Sequence, residues 1–137
     1  MLLGFATWTV LLLLFTVGIY RWRRILTGRI PISDFRADKV EGEEWYCRAM
    51  RAHANCIENL PVFGAIVFAL FVSGVGGSTV NFLSAAVLVA RIMQSLVHVC
   101  LVQTNTVAAG RFTLFFLQII SFLILIAMIV RSSGLTA

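Results

Sequence analysis

At 137 residues, the chain has room for one domain and little else. It is 60% hydrophobic and 12% charged, against roughly 25% charged in an ordinary soluble domain. That balance excludes a water-soluble globule, because so much apolar surface needs lipid as its solvent. The net charge of +5 does not point to nucleic acid, since the basic residues gather in one segment flanking an apolar stretch and no aromatic–basic binding motif accompanies them.

Four apolar stretches follow in chain order, at about 2–20, 48–75, 80–102 and 112–130. Each approaches the ~20 residues that cross a hydrocarbon core. Inside lipid the backbone must satisfy itself, so these are predicted helices. The fold class is therefore all-α: one transmembrane domain over 1–137, a four-helix bundle. The first stretch lacks the basic start and cleavage site of a secretory signal and reads as a retained span. The second helix is expected to start early, near Glu44, and to be loosened or kinked at Pro61.

The connections differ. The first carries Arg21, Arg23, Arg24, Arg29, Arg36 and Lys39, the second is glycine-rich and uncharged, and the third is followed by Arg111. The excess of Lys and Arg predicts that the first and third connections are cytoplasmic and both termini lie on the opposite side. A short chain without a cleavable signal leads us to expect a bacterial cytoplasmic membrane. Cys47, Cys56 and Cys100 have no CxxC or metal-ligand spacing, so no metal is expected.

Ionisable groups within a span are costly and mark functional candidates. In the second helix Arg51, Asn55 and Glu58 are spaced i, i+4, i+7 and share one face. In the third, Arg91, Gln94, Ser95 and His98 do the same, with Ile92, Met93, Leu96 and Val97 covering the remainder. Glu58 is the one acidic residue in an apolar stretch, so a Glu58–Arg91 ion pair is expected. Gln118 lies seven residues beyond Arg111, on the same side of the fourth helix. The plain interpretation is a polar network that fixes helix packing. The number of groups argues for more: a polar cavity with surplus positive charge, suited to an anionic ligand. His98 shares the Arg91 face and is the acid–base candidate, with a structural, hydrogen-bonded histidine as the alternative. His53 points elsewhere and reads as a packing residue.

The run Arg51-Ala52-His53-Ala54-Asn55-Cys56-Ile57-Glu58-Asn59-Leu60-Pro61 resembles the second-helix signature of the MAPEG family, membrane-associated proteins in eicosanoid and glutathione metabolism. The resemblance extends over essentially the whole chain and looks most like divergent bacterial members. It implies a four-helix protomer assembled as a homotrimer, with membrane lipids and a lipophilic small molecule as partners. It implies glutathione bound by Arg51, Asn55, Glu58, Arg91 and Gln94, with Arg111 and His98 in catalytic roles. Arg111 resembles the arginine that opens the fourth helix and stabilises the thiolate in the family's synthases. Ala54, Gln94 and His98 depart from the arginine, histidine and tyrosine of several eukaryotic enzymes. The implied function is a glutathione-dependent transferase or peroxidase-like activity on lipophilic electrophiles. The alternative is a non-catalytic lipid-binding protein of the same architecture.

Overall fold

The computed structural model describes residues 1–35 and 40–134. Arg36 and Lys39, counted above with the basic connection, lie outside the described residues. All regular structure in the described residues is helical: α1 Leu2–Leu12, a π-helical segment Leu13–Gly18, α2 Ile19–Leu26, a short 3-10 turn Ile32–Asp34, then α3 Glu44–Val72, α4 Ser78–Cys100 and α5 Asn105–Gly134. Four helical stretches, Leu2–Leu26, Glu44–Val72, Ser78–Cys100 and Asn105–Ser132, are long and apolar enough to cross a membrane. The all-α, four-span architecture read from the sequence is what the chain adopts.

The first span shows how the helices acquire their register. Phe5, Thr9 and Leu12 are buried at the spacing of one α-helical face. The next buried residue, Val17, comes five positions later, followed by Tyr20. The π-helical segment absorbs that extra residue. Without it, the α-helical period would turn Val17 and Tyr20 away from α3. The inserted turn aims both at Tyr46 and Ala49.

Each connection has its own stop signal. At the end of α3, Gly74 adopts φ +66. Val75 N–H donates to the Leu70 carbonyl (3.1 Å) and Gly74 N–H to that of Phe71 (3.3 Å). This is a Schellman cap, with Val75 packed back on the core as the motif favours. At the start of α5, the Thr104 hydroxyl accepts from Val107 N–H at 3.2 Å, an N-cap that starts the helix well before its apolar run. Arg111 therefore does not open the fourth span. It lies nearly two turns inside α5, beyond the first turn where the helix dipole acts. Helix α3 runs unbroken through Pro61.

Helices α3 and α4 each pack on all three other spans. A ladder of rings ties the bundle across its middle. Phe5 of α1 meets Phe63 of α3 at 5.7 Å between centroids, and Phe63 meets Phe122 of α5 at 5.9 Å. Ala52, Cys56, Val87 and Leu125 fill the space around them. Interlocking of this kind, with small residues where helices approach, is what holds helices together where lipid offers no hydrophobic drive.

Candidate functional site

The polar residues of the spans divide between two places. One is the buried seam of α4. Arg91 is 1% exposed, and Gln94, Ser95 and His98 are also buried. The seam is held by backbone and side-chain bonds. Ser95 Oγ donates to the Arg91 carbonyl at 2.8 Å. Cys56 Sγ lies 3.4 Å from Ser95 Oγ. With the serine proton already given to the carbonyl, the thiol is the donor in that pair. Gln118 Nε2 donates to Gln94 Oε1 (3.1 Å) and to the Leu114 carbonyl (3.0 Å). Gln94 Nε2 in turn donates to the Arg111 carbonyl at 3.2 Å. This relay fixes the turn of α5 that carries Arg111.

The expected Glu58–Arg91 pair does not form. Glu58 is exposed on the protomer, and no ion pair among the described residues joins it to Arg91. The reason lies in the register of α3. Ala52, Cys56 and Phe63 are the positions turned into the bundle, so Cys56 rather than Glu58 faces α4. Arg91 is instead placed over the Phe5 ring, 5.6 Å from its centroid. Its Nε and Nη2 are buried without a hydrogen-bond partner among the described residues, as is His98 Nδ1.

The second place is the end of the bundle where the first and third connections meet. A cavity of about 300 Å³ lies between α3, α4 and α5, lined by Asn55, Gln94, Gln103, Ala108, Arg111, Phe112 and Phe115. Its floor is polar and its α5 wall is aromatic. Phe112 is 67% exposed on the outer face, which opens that wall towards lipid. Arg111 is half-buried, and its Nε has no partner among the described residues. An adjoining cleft of about 380 Å³ is lined by Gly42, Glu44, Cys47, Arg48, Arg51, Val102 and Gln103. Gln103 borders both, so the two lie side by side, and together they are called the groove, from the first connection to Arg111.

The groove brings together Asn55, Gln94 and Arg111, with Arg51 in its outer half. Glu58, Arg91 and His98 line neither part. Sequence reasoning missed Gln103, Arg48, Cys47 and the Phe112–Phe115 wall. Arg48 was within reach, being three residues before Arg51 on the same helical face. Gln103 was not, because only the tertiary fold brings the third connection against α3.

These features define a class: a helical integral membrane protein with a groove that is cationic at one end and aromatic at its lipid-facing wall. The particular family follows. The MAPEG family model matches residues 1–131 of the chain, which belongs to that family. No curated protein and no solved structure matches it. At family level, membership supports a membrane protein of the glutathione-related transferase or eicosanoid type.

Proposed function

We propose that this protein is a membrane-embedded, glutathione-dependent transferase or peroxidase-like enzyme acting on lipophilic electrophiles. The observation that carries the reading is the groove from Arg48 and Arg51 to Arg111. Its cations suit the carboxylates and the thiolate of a small anionic peptide, and its aromatic wall suits an apolar co-substrate. Family members generally use glutathione. The donor set fits it: Arg48 and Arg51 present guanidiniums able to bind carboxylates bidentately, and Asn55 and Gln94 offer amides. Bound glutathione supplies a sulfur nucleophile.

In this reading Arg111 stabilises the thiolate with its fixed charge, since a thiol of ordinary pKa near ~8.5 is nucleophilic only when ionised. The relay from Gln118 through Gln94 holds Arg111 in place. Phe112 and Phe115 admit the electrophile from the acyl region. Glu58 is assigned to ligand contact across a subunit boundary in a homotrimer, the assembly typical of the family, whereas Arg91, buried within the protomer, would reach a ligand only if the groove opened towards it. Support comes from Glu58 itself: a carboxylate exposed halfway along a spanning helix is costly against lipid, and a neighbouring protomer relieves that cost. His98, with its unpartnered Nδ1, is the acid–base candidate, which requires the groove to open towards it during turnover. The first and third connections face the cytoplasm, of a bacterial cell in this reading.

The test is isothermal titration of the detergent-purified protein with glutathione, paired with conjugation of 1-chloro-2,4-dinitrobenzene. Heat that saturates at millimolar ligand, together with turnover, is expected. No heat from an intact oligomer would sink the proposal. A second reading, a non-catalytic lipid-binding protein, is favoured by the Phe112–Phe115 wall and by the absence of His98 from the groove. Tightly co-purifying lipid without turnover, identified by mass spectrometry, would select it.

A further inference from the structure

At the end of the first span lies a third cleft, sharing no residue with the groove above. It has a volume of about 280 Å³ and is lined chiefly by Ile19, Tyr20, Arg23, Arg24, Arg29 and Trp45. Glu43 is the one carboxylate at its edge among the described residues, and it is already engaged. The Trp45 indole donates to its Oε2 at 2.8 Å, and Arg24 pairs with its Oε1. Arg24 is itself packed over Tyr20, 4.7 Å from the ring centroid. Arg23 and Arg29 are exposed, and no ion pair among the described residues holds either. Three guanidiniums against one carboxylate leave two positive charges directed into one cleft.

We propose that this cleft holds the phosphate headgroup of an anionic membrane lipid. A guanidinium matches phosphate oxygens in a bidentate fork. The setting favours a lipid over a free anion. Ile19 lines the cleft, and it and Phe15 are exposed along the same span towards the hydrocarbon, giving an acyl chain an apolar track that starts at the arginines. Trp22 is exposed beside them. Tryptophan at that height is typical of the membrane–water interface. Tyr20, stacked on Tyr46 at 4.1 Å, makes a rigid floor. The lipid would thus bind the span end that is tied to α3, without entering the groove at Arg111.

The test uses the full chain in detergent, exposed to vesicles of equal parts palmitoyl-oleoyl phosphatidylglycerol and phosphatidylcholine, with retained lipid counted by native mass spectrometry. Wild type is expected to retain phosphatidylglycerol in preference. R29Q lowers that preference about fivefold and R23Q/R29Q more than tenfold, following the attraction of anionic lipid per basic side chain. R131Q, changed in the last turn of α5, retains it. An unchanged preference in R23Q/R29Q overturns the proposal. So does loss of the wild-type preference on adding millimolar inorganic phosphate or glutathione, which would assign the arginines to a soluble anion.

Discussion

Two regions of this molecule use arginine against aromatic rings, and they differ in what becomes of the remaining N–H groups. At the end of the first span, Arg21 Nε donates to the Tyr46 hydroxyl at 2.8 Å, with its guanidinium near the rings of Phe35 and Tyr46. Arg24 pairs with Glu43, and Tyr20 accepts from Glu43 N–H at 3.3 Å. Among the described residues, no buried side-chain nitrogen or oxygen of this latch lacks a partner, and the latch joins α2 to the start of α3. In the seam of α4, Arg91 is equally tied to a ring, that of Phe5, yet two of its nitrogens face no acceptor. His98 Nδ1, Arg111 Nε and Gln118 Oε1 nearby are in the same condition. Satisfied arginines hold a fold together. Unsatisfied buried ones are expensive, and among the described residues they comprise Arg91 on α4, Arg111 on α5 and Arg48 on α3, the last two lining the clefts at the end of the bundle.

The comparison is most easily broken at Arg111. If its open valence serves a thiolate, R111A lowers conjugating turnover by about 10²-fold or more, the usual cost of losing one charge-stabilising donor, while circular dichroism and oligomer size stay unchanged. A tenfold loss or less would place Arg111 with the structural arginines. The next effect is a contrast in stability. R21M removes a charged hydrogen bond and leaves Tyr46 unpaired, costing about 1.5–3 kcal/mol. R91M replaces an unpartnered buried charge with an apolar chain of similar length and is expected to be neutral or stabilising. Thermal unfolding in detergent reads both. Equal losses would show that Arg91 already has a counter-charge in the assembled protein.

Two smaller effects sharpen the picture. Gln118→Leu breaks the relay to Gln94 and Arg111. It should cost about 1 kcal/mol of stability and raise KM for glutathione more than it lowers kcat, because it acts by positioning. The smallest effect is in pH. The Trp45 indole, and then Arg24, hold the Glu43 carboxyl below its ordinary value of 4.5. A depressed folded pKa means the latch's contribution is present above that value and is lost as pH falls through the folded one. The melting temperature of wild type should therefore fall below about pH 4.5 more steeply than that of E43Q.

Much of the molecule was legible before its tertiary structure. Arg51, Asn55 and Gln94 were singled out from helical spacing and Arg111 from its place at the third connection and the family resemblance; these four line the groove, whereas Glu58, Arg91 and His98 do not. The Glu58–Arg91 pair failed because spacing assigns residues to faces without fixing which face meets which neighbour. Cys56, lacking any obvious chemistry, took the inward position. The helix-opening role of Arg111 failed because a threonine cap at Thr104, invisible to a hydropathy reading, starts α5 early.

Composition and apolar runs by themselves determined the solvent, the helical class and the number of spans, since lipid allows a backbone of this kind few alternatives. The family was suggested by the resemblance of the 51–61 run and the four-span layout, and the family model over residues 1–131 bears it out. Only the tertiary structure decided the rotation of each helix about its axis. A π-helical turn in the first span, the aromatic ladder through Phe63 and the meeting of the first and third connections set that rotation. These are choices of packing between distant segments, and a periodicity counted along one helix carries no information about the surface it will meet.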